Sequence, residues 1–320
     1  MIVNKKRLRE YFSFMAERHS IFVKRFVELK PAPWTDDEAL RTQKYTNIYR
    51  ELDRGTVYWW LRVLNPFLKG ETNFGTFLYD TLGYRLLNRV ETFRAVGLPS
   101  KAKSAGVYRG WLEDYSKKLK QPIWTSAHLI AFGPGIKRLD GYQAALEYYN
   151  THPAILRQIE KRHKSPEKVF NTLRQIRGCG HFIAYEIVCD LAYAGIVKNI
   201  DTWCNVGPGA KPACDLIFPN RQEDGMSYLD CCLWLYKNHQ RFLKEFKLKI
   251  RFPKFANGRF SLRVCEHSLC EWRKYAHAAM GKGRARTKFE GLSNTEATPY
   301  SPVDTSNWYY QGLKKLGFLK

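Results

Sequence analysis

A glycine-bracketed turn and an acidic residue 21 positions beyond it have the types and spacing needed to handle a phosphate-bearing substrate. Leu173–Leu191 predicts a helix, a tight Gly178-Cys179-Gly180-His181 turn and a second helix. Glycine tolerates positive φ and lets the backbone approach a ligand closely. Amides at the start of the second helix carry the positive end of its dipole, which suits a phosphate. The alternative is an ordinary corner between two helices.

Asp201 is the candidate catalytic carboxylate that follows this turn. It lies in Ile200-Asp-Thr-Trp203, just before Gly207-Pro-Gly209-Ala-Lys211. A carboxylate, an indole and a glycine-rich loop with a lysine would gather at the mouth of a cleft. The loop is too short for a nucleotide P-loop, and the pattern GxxxxGK[ST] does not occur in the sequence. A solvated aspartate is the alternative.

A second candidate constellation spans residues 45–56. Asn47, Arg50 and Arg54 follow helical spacing and should share one face, with Asp53 beside Arg50. A mixture of amide, guanidinium and carboxylate groups between apolar residues is not typical of a solvated stripe. We expect Asn47, Arg50 and Asp53 to form a catalytic or phosphate-clamping face. A buried structural salt-bridge network is the alternative.

The third constellation is basic. Residues 237–290 contain 15 Lys or Arg and 4 Glu without an Asp, a net charge of +11. Interleaved aromatic residues and a Gly-x-Gly-Arg step favour an arm that contacts phosphates, rather than a solvated face. Lys274, Arg284 and Arg286 are expected to bind phosphate, and Glu266, His267 and Glu271 are further candidate site residues of this region. Cys265-x-His-x-x-Cys270 lacks paired structural-zinc spacing, so we expect neither a metal nor another cofactor.

The whole chain carries 53 Lys or Arg against 30 Asp or Glu, a formal net charge of +23 in 320 residues. This excess attracts polyanions through counterion release. No apolar run approaches the ~20 residues that span a bilayer, and residues 1–9 lack the apolar core of a signal peptide. We therefore expect an intracellular protein without a membrane segment, whose eight cysteines are reduced core residues.

Helical periodicity dominates, so the predicted fold class is mainly α. Helices are expected over 5–29, from a Thr35–Glu38 capping box to about residue 65, and over the segments 73–93, 105–119, 138–150, 153–163, 227–246 and 262–279. Ser165-Pro166 should begin the first helix of the hairpin unit. We expect three regions: an N-terminal helical region 1–150, a hairpin core with the Asp201 loop at 151–226, and a basic helical region with a tail at 227–320.

The hairpin with its Ile-Asp-Thr step resembles the helix-hairpin-helix of DNA glycosylases, in which such a step carries a catalytic aspartate. Three blocks in order, NIYRELDRGT, IDTW…VGPGA and EHSLCEWRKY…GKGR, resemble the alpha-glutamyl/putrescinyl thymine pyrophosphorylase family. That family is linked to thymine hypermodification in phages and some eukaryotes, and is related to the helical domain of 5-hydroxymethyluracil DNA kinases.

The resemblance implies a glycosylase-like helical fold with a basic C-terminal extension, acting on double-stranded DNA that carries modified uracil. A kinase places pyrophosphate on 5-hydroxymethyluracil, and the transferase replaces it with an amine from an amino acid or polyamine. Motif positions carried over are Asn47, Arg50, Asp53, Asp201, Gly207, Gly209, Glu266, His267, Glu271 and Lys274, with Trp203 beside Asp201. Since this sequence lacks a P-loop, we expect the transferase and, if it is encoded by a phage, a location with DNA in the host cytoplasm. A monofunctional glycosylase and a non-catalytic DNA-binding module are the alternatives.

Overall fold

A computed structural model describes residues 1–120, 122–125, 130–250, 260–280 and 303–319 of the chain. These residues are mainly helical and contain no β-strand. The mainly α fold class is therefore confirmed. No helix in the described ranges is long and apolar enough to cross a membrane.

The helices, in chain order, are α1 Lys5–Phe22, α2 Glu38–Thr42, α3 Arg54–Trp59, α4 Asn65–Leu68, α5 Phe74–Leu87, α6 Val90–Val96, α7 Ala105–Leu119, α8 Arg138–Thr151, α9 Ala154–Arg162, α10 Pro166–Leu173, α11 His181–Tyr193, α12 Lys211–Ile217, α13 Tyr228–Glu245, α14 Leu262–Ala279 and α15 Trp308–Lys315. Helix α1 continues as a π-helical turn over Val23–Val27, and α3 as another over Trp60–Leu64. The predictions for α7 and α14 agree with the structure to the residue. Ser165 caps α10 as expected, accepting a bond from the amide of Lys168.

The prediction of a single helix from residue 35 to about residue 65 is wrong. Asp37, not Thr35, caps α2, because its side chain accepts the amide of Leu40 at 3.0 Å. Helix α2 ends at Thr42, and the chain then runs without helix until a 3₁₀ turn at Arg50–Leu52. Asn and Asp side chains that bond nearby backbone offer an alternative to the helical ladder, and both occur in this segment.

The chain divides into two compact units, a first unit of Met1–Asp53 with Val206–Lys320 and a second unit of Arg54–Asn205. This division differs from the three consecutive regions expected from the sequence. The difference has a physical reason, because the buried face of α1 packs against helices near the other end of the chain.

The core of the first unit forms where α1 packs on α13 and α14. Tyr11, fully buried on α1, packs edge-on against Trp272 and donates its hydroxyl to the carbonyl oxygen of Cys265 at 3.1 Å. Phe12 stacks on Phe242 of α13. Buried aromatic pairs add roughly 0.5–1.5 kcal/mol beyond their area. These contacts fix α1 against α14, which carries the EHSLCEWRKY block.

The second unit is built around the buried helices α5 and α11. Arg85 on α5 forms a bidentate ion pair with Asp190 on α11, at 2.7 and 2.6 Å, and lies 3.3 Å from Glu186. All three side chains are buried. Such a group is worth little in net stability while intact, but costs several kcal/mol when one partner is removed.

All eight cysteines are free, as expected, and seven of them are buried. Cys270 on α14 is partly exposed. The interpretation of the cysteines as free core side chains is therefore right for seven of the eight.

Candidate functional site

The first unit holds a group of charged and amide side chains around Asp53, which we call the Asp53 cluster (Arg18, Asn47, Arg50 and Asp53). Asn47 donates its backbone N–H and its side-chain Nδ2 to Asp53 Oδ1, each at 3.0 Å. Arg50 Nη1 donates to Asp53 Oδ2 at 2.7 Å. Asp53 thus accepts three hydrogen bonds within seven residues of chain. Asn47, Arg50 and Asp53 therefore lie together, as predicted. A loop brings them together, and not one face of a helix.

Arg18 completes this cluster from α1. Its Nη2 donates to Asn47 Oδ1 at 3.0 Å and to the carbonyl oxygen of Tyr45 at 3.1 Å. Sequence reasoning missed Arg18, which lies between Glu17 and His19 on α1 and has no distinctive sequence signal.

The electrostatics of the cluster reflect its burial. Burial raises the pKa of Asp53, and the positive charge of Arg50 and the hydrogen bonds from Asn47 oppose that rise. Burial lowers the pKa of Arg18, while the negative charges of Asp53 and Glu271 oppose that change. The side chains of Arg50 and Asp53 are only 13% and 18% exposed. Water therefore screens these charges weakly, and an entering anion or cation would interact with them strongly.

A second group, the Glu271 cluster, consists of His267, Glu271 and Lys274 on α14 and of Thr46 in the loop after α2. It adjoins the Asp53 cluster because Thr46 precedes Asn47 in the chain. Glu271 Oε2 accepts the amide of Thr46 at 3.1 Å, and its other oxygen pairs with Lys274. His267 Nε2 lies 2.6 Å from Thr46 Oγ1. Glu271 is 3% exposed. Two blocks more than 200 residues apart therefore meet at one place.

The glycine-rich loop also packs on α14. The amide of Gly207 donates to Glu266 Oε1 at 3.1 Å. A Cβ on Gly209 would lie 2.4 Å from Cys270 Sγ, so this close approach requires glycine whether or not a ligand binds. Lys211, exposed at the start of α12, places its Nζ 5.5 Å from the centre of the Tyr228 ring.

The second unit contains a turn between α10 and α11, at the position where the sequence predicts the hairpin. Gly178 has φ +81°, and a Cβ there would meet Phe132 at 2.5 Å. Gly180 has φ −68° and ψ −179°, which is extended backbone, so it does not use the positive φ that glycine permits. Among the described residues, no atom beyond the neighbouring residues lies within 4 Å of a Cβ built on Gly180, so this part of the structure leaves the start of α11 open to a ligand.

The two residues beside these glycines differ in exposure. Cys179 is buried, burial raises the pKa of its thiol, and its amide donates to the carbonyl oxygen of Ile176 at 2.9 Å. The side chain of Cys179 therefore belongs to the core. His181 is exposed at the first position of α11, 5.7 Å from the ring of Phe170.

Asp201 lies in a 3₁₀ turn, Ile200–Thr202, and is partly exposed. Asn199, at φ +57°, starts this turn, and its carbonyl oxygen accepts the amide and the hydroxyl of Thr202. Trp203 packs on Phe170 at 5.0 Å and edge-on against Tyr185 at 5.9 Å. The indole thus anchors this segment to α10 and α11, and in this way it fixes the backbone position of Asp201.

Arg284 and Arg286 lie outside the described residues, as does the whole Gly-x-Gly-Arg step at 281–284. Their expected contacts with phosphate stay predictions.

Comparisons with known proteins found a matching family model and a similar phage protein. A family model described as "5-hmdU DNA kinase, helical domain" matches residues 5–285. A 5-hmdU DNA kinase of Bacillus phage SP10 is 27% identical over 293 residues, which cover 83% of this chain and 44% of that protein. The chain thus spans less than half the length of this relative. No solved structure matched.

Proposed function

This chain belongs to the family of 5-hmdU DNA kinase helical domains, and from this premise we propose that it is a DNA-modifying transferase. It replaces the pyrophosphate of 5-pyrophosphoryloxymethyl-uracil in DNA with an amine, giving a hypermodified thymine. One observation carries the proposal. The Asp53 and Glu271 clusters bring distant charged blocks together in a buried, hydrogen-bonded group that packing alone does not require.

The cost of burying these groups supports a functional role. Buried charges must lose hydration, and replacement of such pairs by apolar residues is often neutral or stabilising. The clusters contain Arg18 and Arg50, and also Lys274, whose side chain is 49% exposed, beside only two carboxylates, Asp53 and Glu271. Guanidinium groups bind phosphate oxygens in bidentate geometry. The extra positive charge suits a departing pyrophosphate.

The reaction balances without a redox partner. The lone pair of the amine attacks the 5-methylene carbon and forms a C–N bond. The C–O bond to pyrophosphate breaks, and pyrophosphate leaves with the electron pair. The ammonium formed on nitrogen then gives a proton to a carboxylate, for which we propose Asp201 as general base.

We propose that the hairpin holds the DNA backbone. The first amides of α11 have no intrahelical acceptor, and the open space around Gly180 lets a phosphate reach them. This mode of binding is independent of base sequence, because contacts to phosphates position the protein on DNA but do not distinguish one base from another.

A second candidate rests on the phage relative. That kinase is more than twice as long as the matched region, which favours a helical module that presents DNA to a separate catalytic module. In this case the chain would bind DNA carrying 5-hydroxymethyluracil but release no pyrophosphate.

The test uses the full chain with duplex DNA carrying 5-pyrophosphoryloxymethyl-uracil and a mixture of amines, followed by mass spectrometry of nucleosides. An amine adduct with one pyrophosphate released per adduct is the expected result. Abasic sites would instead identify a glycosylase, and DNA binding without any product would identify a recognition module. Asp201→Asn is the informative variant, and Asp114→Asn is its control, an exposed aspartate on α7 of the same unit.

A further inference from the structure

A cleft of about 700 Å³ opens on the first unit beside α1, at a place that the sequence analysis did not single out. Its walls come from α1, the start of α2, the residue after α13 and Tyr275 of α14. Charged groups of both signs line it, together with Phe14 and Leu40. An apolar wall with separated charges is typical of small-molecule sites.

The positive end of the cleft lies at the start of α1. Lys6 and Arg9 line it, and the guanidinium of Arg9 lies 5.4 Å from the centre of the Phe246 ring. Lys5 and Glu10 also line the cleft, but Lys5 pairs with Glu245 at 3.2 Å and Glu10 pairs with Arg7 at 2.7 Å. Within the described residues, neither Lys6 nor Arg9 has a carboxylate partner. These two cations are therefore available to an anionic group of a ligand.

The negative end lies toward α2. Glu17, two turns beyond Arg9 on α1, lines the cleft with Asp37. Asp37 is held in place at both oxygens, because Oδ1 accepts the amide of Leu40 and Oδ2 accepts the hydroxyl of Tyr275 at 2.5 Å. Each carboxylate oxygen keeps a further lone pair that can accept from an ammonium group.

An unsatisfied hydroxyl adjoins the negative end. The ring of Tyr45 packs edge-on against Phe14 and Tyr275, which both line the cleft. The Tyr45 hydroxyl is buried and has no hydrogen-bond partner within the described ranges. Burial raises the pKa of Tyr45, and the charges of Asp37 and Glu271 add to the rise. A buried polar atom without a partner costs free energy, and a ligand would remove that cost.

We infer that this cleft binds an amine that also carries a carboxylate several ångströms away, as in an amino acid with a chain between its charges. The ammonium lies near Glu17, Asp37 and the aromatic rings, and the carboxylate near Lys6 and Arg9. Cation–π attraction to Tyr275 and Phe14 adds to the binding of the ammonium.

The length of α1 sets the size of this ligand. A helix rises 1.5 Å per residue, so the levels of Arg9 and Glu17 differ by about 12 Å, and side chains reaching inward shorten that span. A diamine would place a cation against Lys6 and Arg9, and a dicarboxylate would place an anion against Glu17. Both should bind more weakly than the zwitterion.

This inference rests on the proposed function for its meaning, since the bound amine would be the donor in the transfer. The site also stands close to the proposed chemistry, because Tyr45 is in contact with the cleft wall and its carbonyl oxygen accepts from Arg18 of the Asp53 cluster. Binding can nevertheless be measured without DNA.

The test is calorimetric titration of the full chain with three ligands of five carbons each, namely 5-aminopentanoate, 1,5-diaminopentane and glutarate. We expect 5-aminopentanoate to bind at least about tenfold more tightly than the other two. Glu17→Gln should weaken its binding by about tenfold, since one charge-assisted bond is lost. Glu38→Gln, an exposed acid on α2 that does not line the cleft, is the matched control.

Arg9→Gln tests the other end and should weaken 5-aminopentanoate while improving 1,5-diaminopentane, with exposed Arg41→Gln as the control. Equal binding of all three ligands, no binding, or equal effects of the Glu17 and Glu38 changes would overturn the inference. Selective binding without any transfer to DNA would leave the cleft in place and contradict the proposed function. Transfer of an amino acid to DNA with the same KM in Glu17→Gln as in the wild type would support the proposed function and contradict the cleft as the amine site.

Discussion

Replacing Asp53 by Asn should destabilise the first unit, although it removes a charge that burial disfavours. The carboxylate accepts from Asn47 at one oxygen and from Arg50 at the other. An Asn side chain has one oxygen and one NH₂ group, so at least one of these donors would face another donor. Arg50 would also lose its ion-pair partner at a site only 13% exposed.

The magnitude follows from these contacts. A hydrogen bond to a charged group is worth roughly 1.5–3 kcal/mol. Burial outweighs Arg50 and Asn47 in setting the pKa of Asp53, so relief of burial offsets the lost charge interactions. The remaining cost is that of a buried donor left without an acceptor, roughly 1–3 kcal/mol. We expect a net loss of about 2 kcal/mol in the free energy of unfolding, which is large against the roughly 5–15 kcal/mol of a typical domain.

Urea unfolding followed by circular dichroism measures this loss, with exposed Asp36→Asn as the control, for which we expect a change within about 0.5 kcal/mol. The pH dependence gives a second measurement. Because the folded pKa of Asp53 is raised, its titration lowers stability as pH rises above the unfolded pKa, and Asp53→Asn should lose that contribution. Equal stabilities of the Asp53 and Asp36 variants would refute the reasoning.

Four further outcomes are expected. Asp201→Asn should lower single-turnover transfer by at least about 100-fold with DNA affinity kept, and activity within a few-fold of wild type would remove Asp201 from the mechanism. Gly180→Val should weaken DNA binding in a fluorescence titration without loss of helical signal, since its side chain enters open space; unchanged affinity would contradict the hairpin proposal. Asp190→Asn should cost about 3–5 kcal/mol in urea unfolding, because Arg85 stays buried; a loss below about 1 kcal/mol would contradict that. Charge reversal at Arg284 and Arg286 should flatten the slope of log K against log salt by about one unit per lost phosphate contact, and an unchanged slope would indicate a solvated face.

Local signals predicted the helices well and the site only in part. The periodicity of α7 and α14 and the Ser165 cap are properties of neighbouring residues, so the sequence contains them directly. The break after Thr42 was not predicted, because residues 43–53 keep a helical spacing of polar groups while Asn47 and Asp53 bond each other across a loop.

The meeting of distant blocks could not be predicted from local pattern. Arg18 joins Asn47, and Thr46 joins Glu271, through contacts set by the packing of α1 against α14. Sequence order separates these residues by 29 and 225 positions, and no spacing rule connects them. The buried Arg85–Asp190 pair had a weak signal, in the two acids four residues apart within the apolar helix α11.

The discontinuous first unit has a consequence for synthesis on the ribosome. The amide of Asn4 donates to the carbonyl oxygen of Ile217, and the hydroxyl of Tyr11 to that of Cys265. At roughly 5–20 residues per second, the apolar face of α1 waits on the order of ten seconds or more for α14 to be made. The second unit is complete in the nascent chain before that, so we expect it to become protease-resistant first. During this interval α1 exposes Leu8 and Phe12, and a chaperone that binds apolar segments would find its target there.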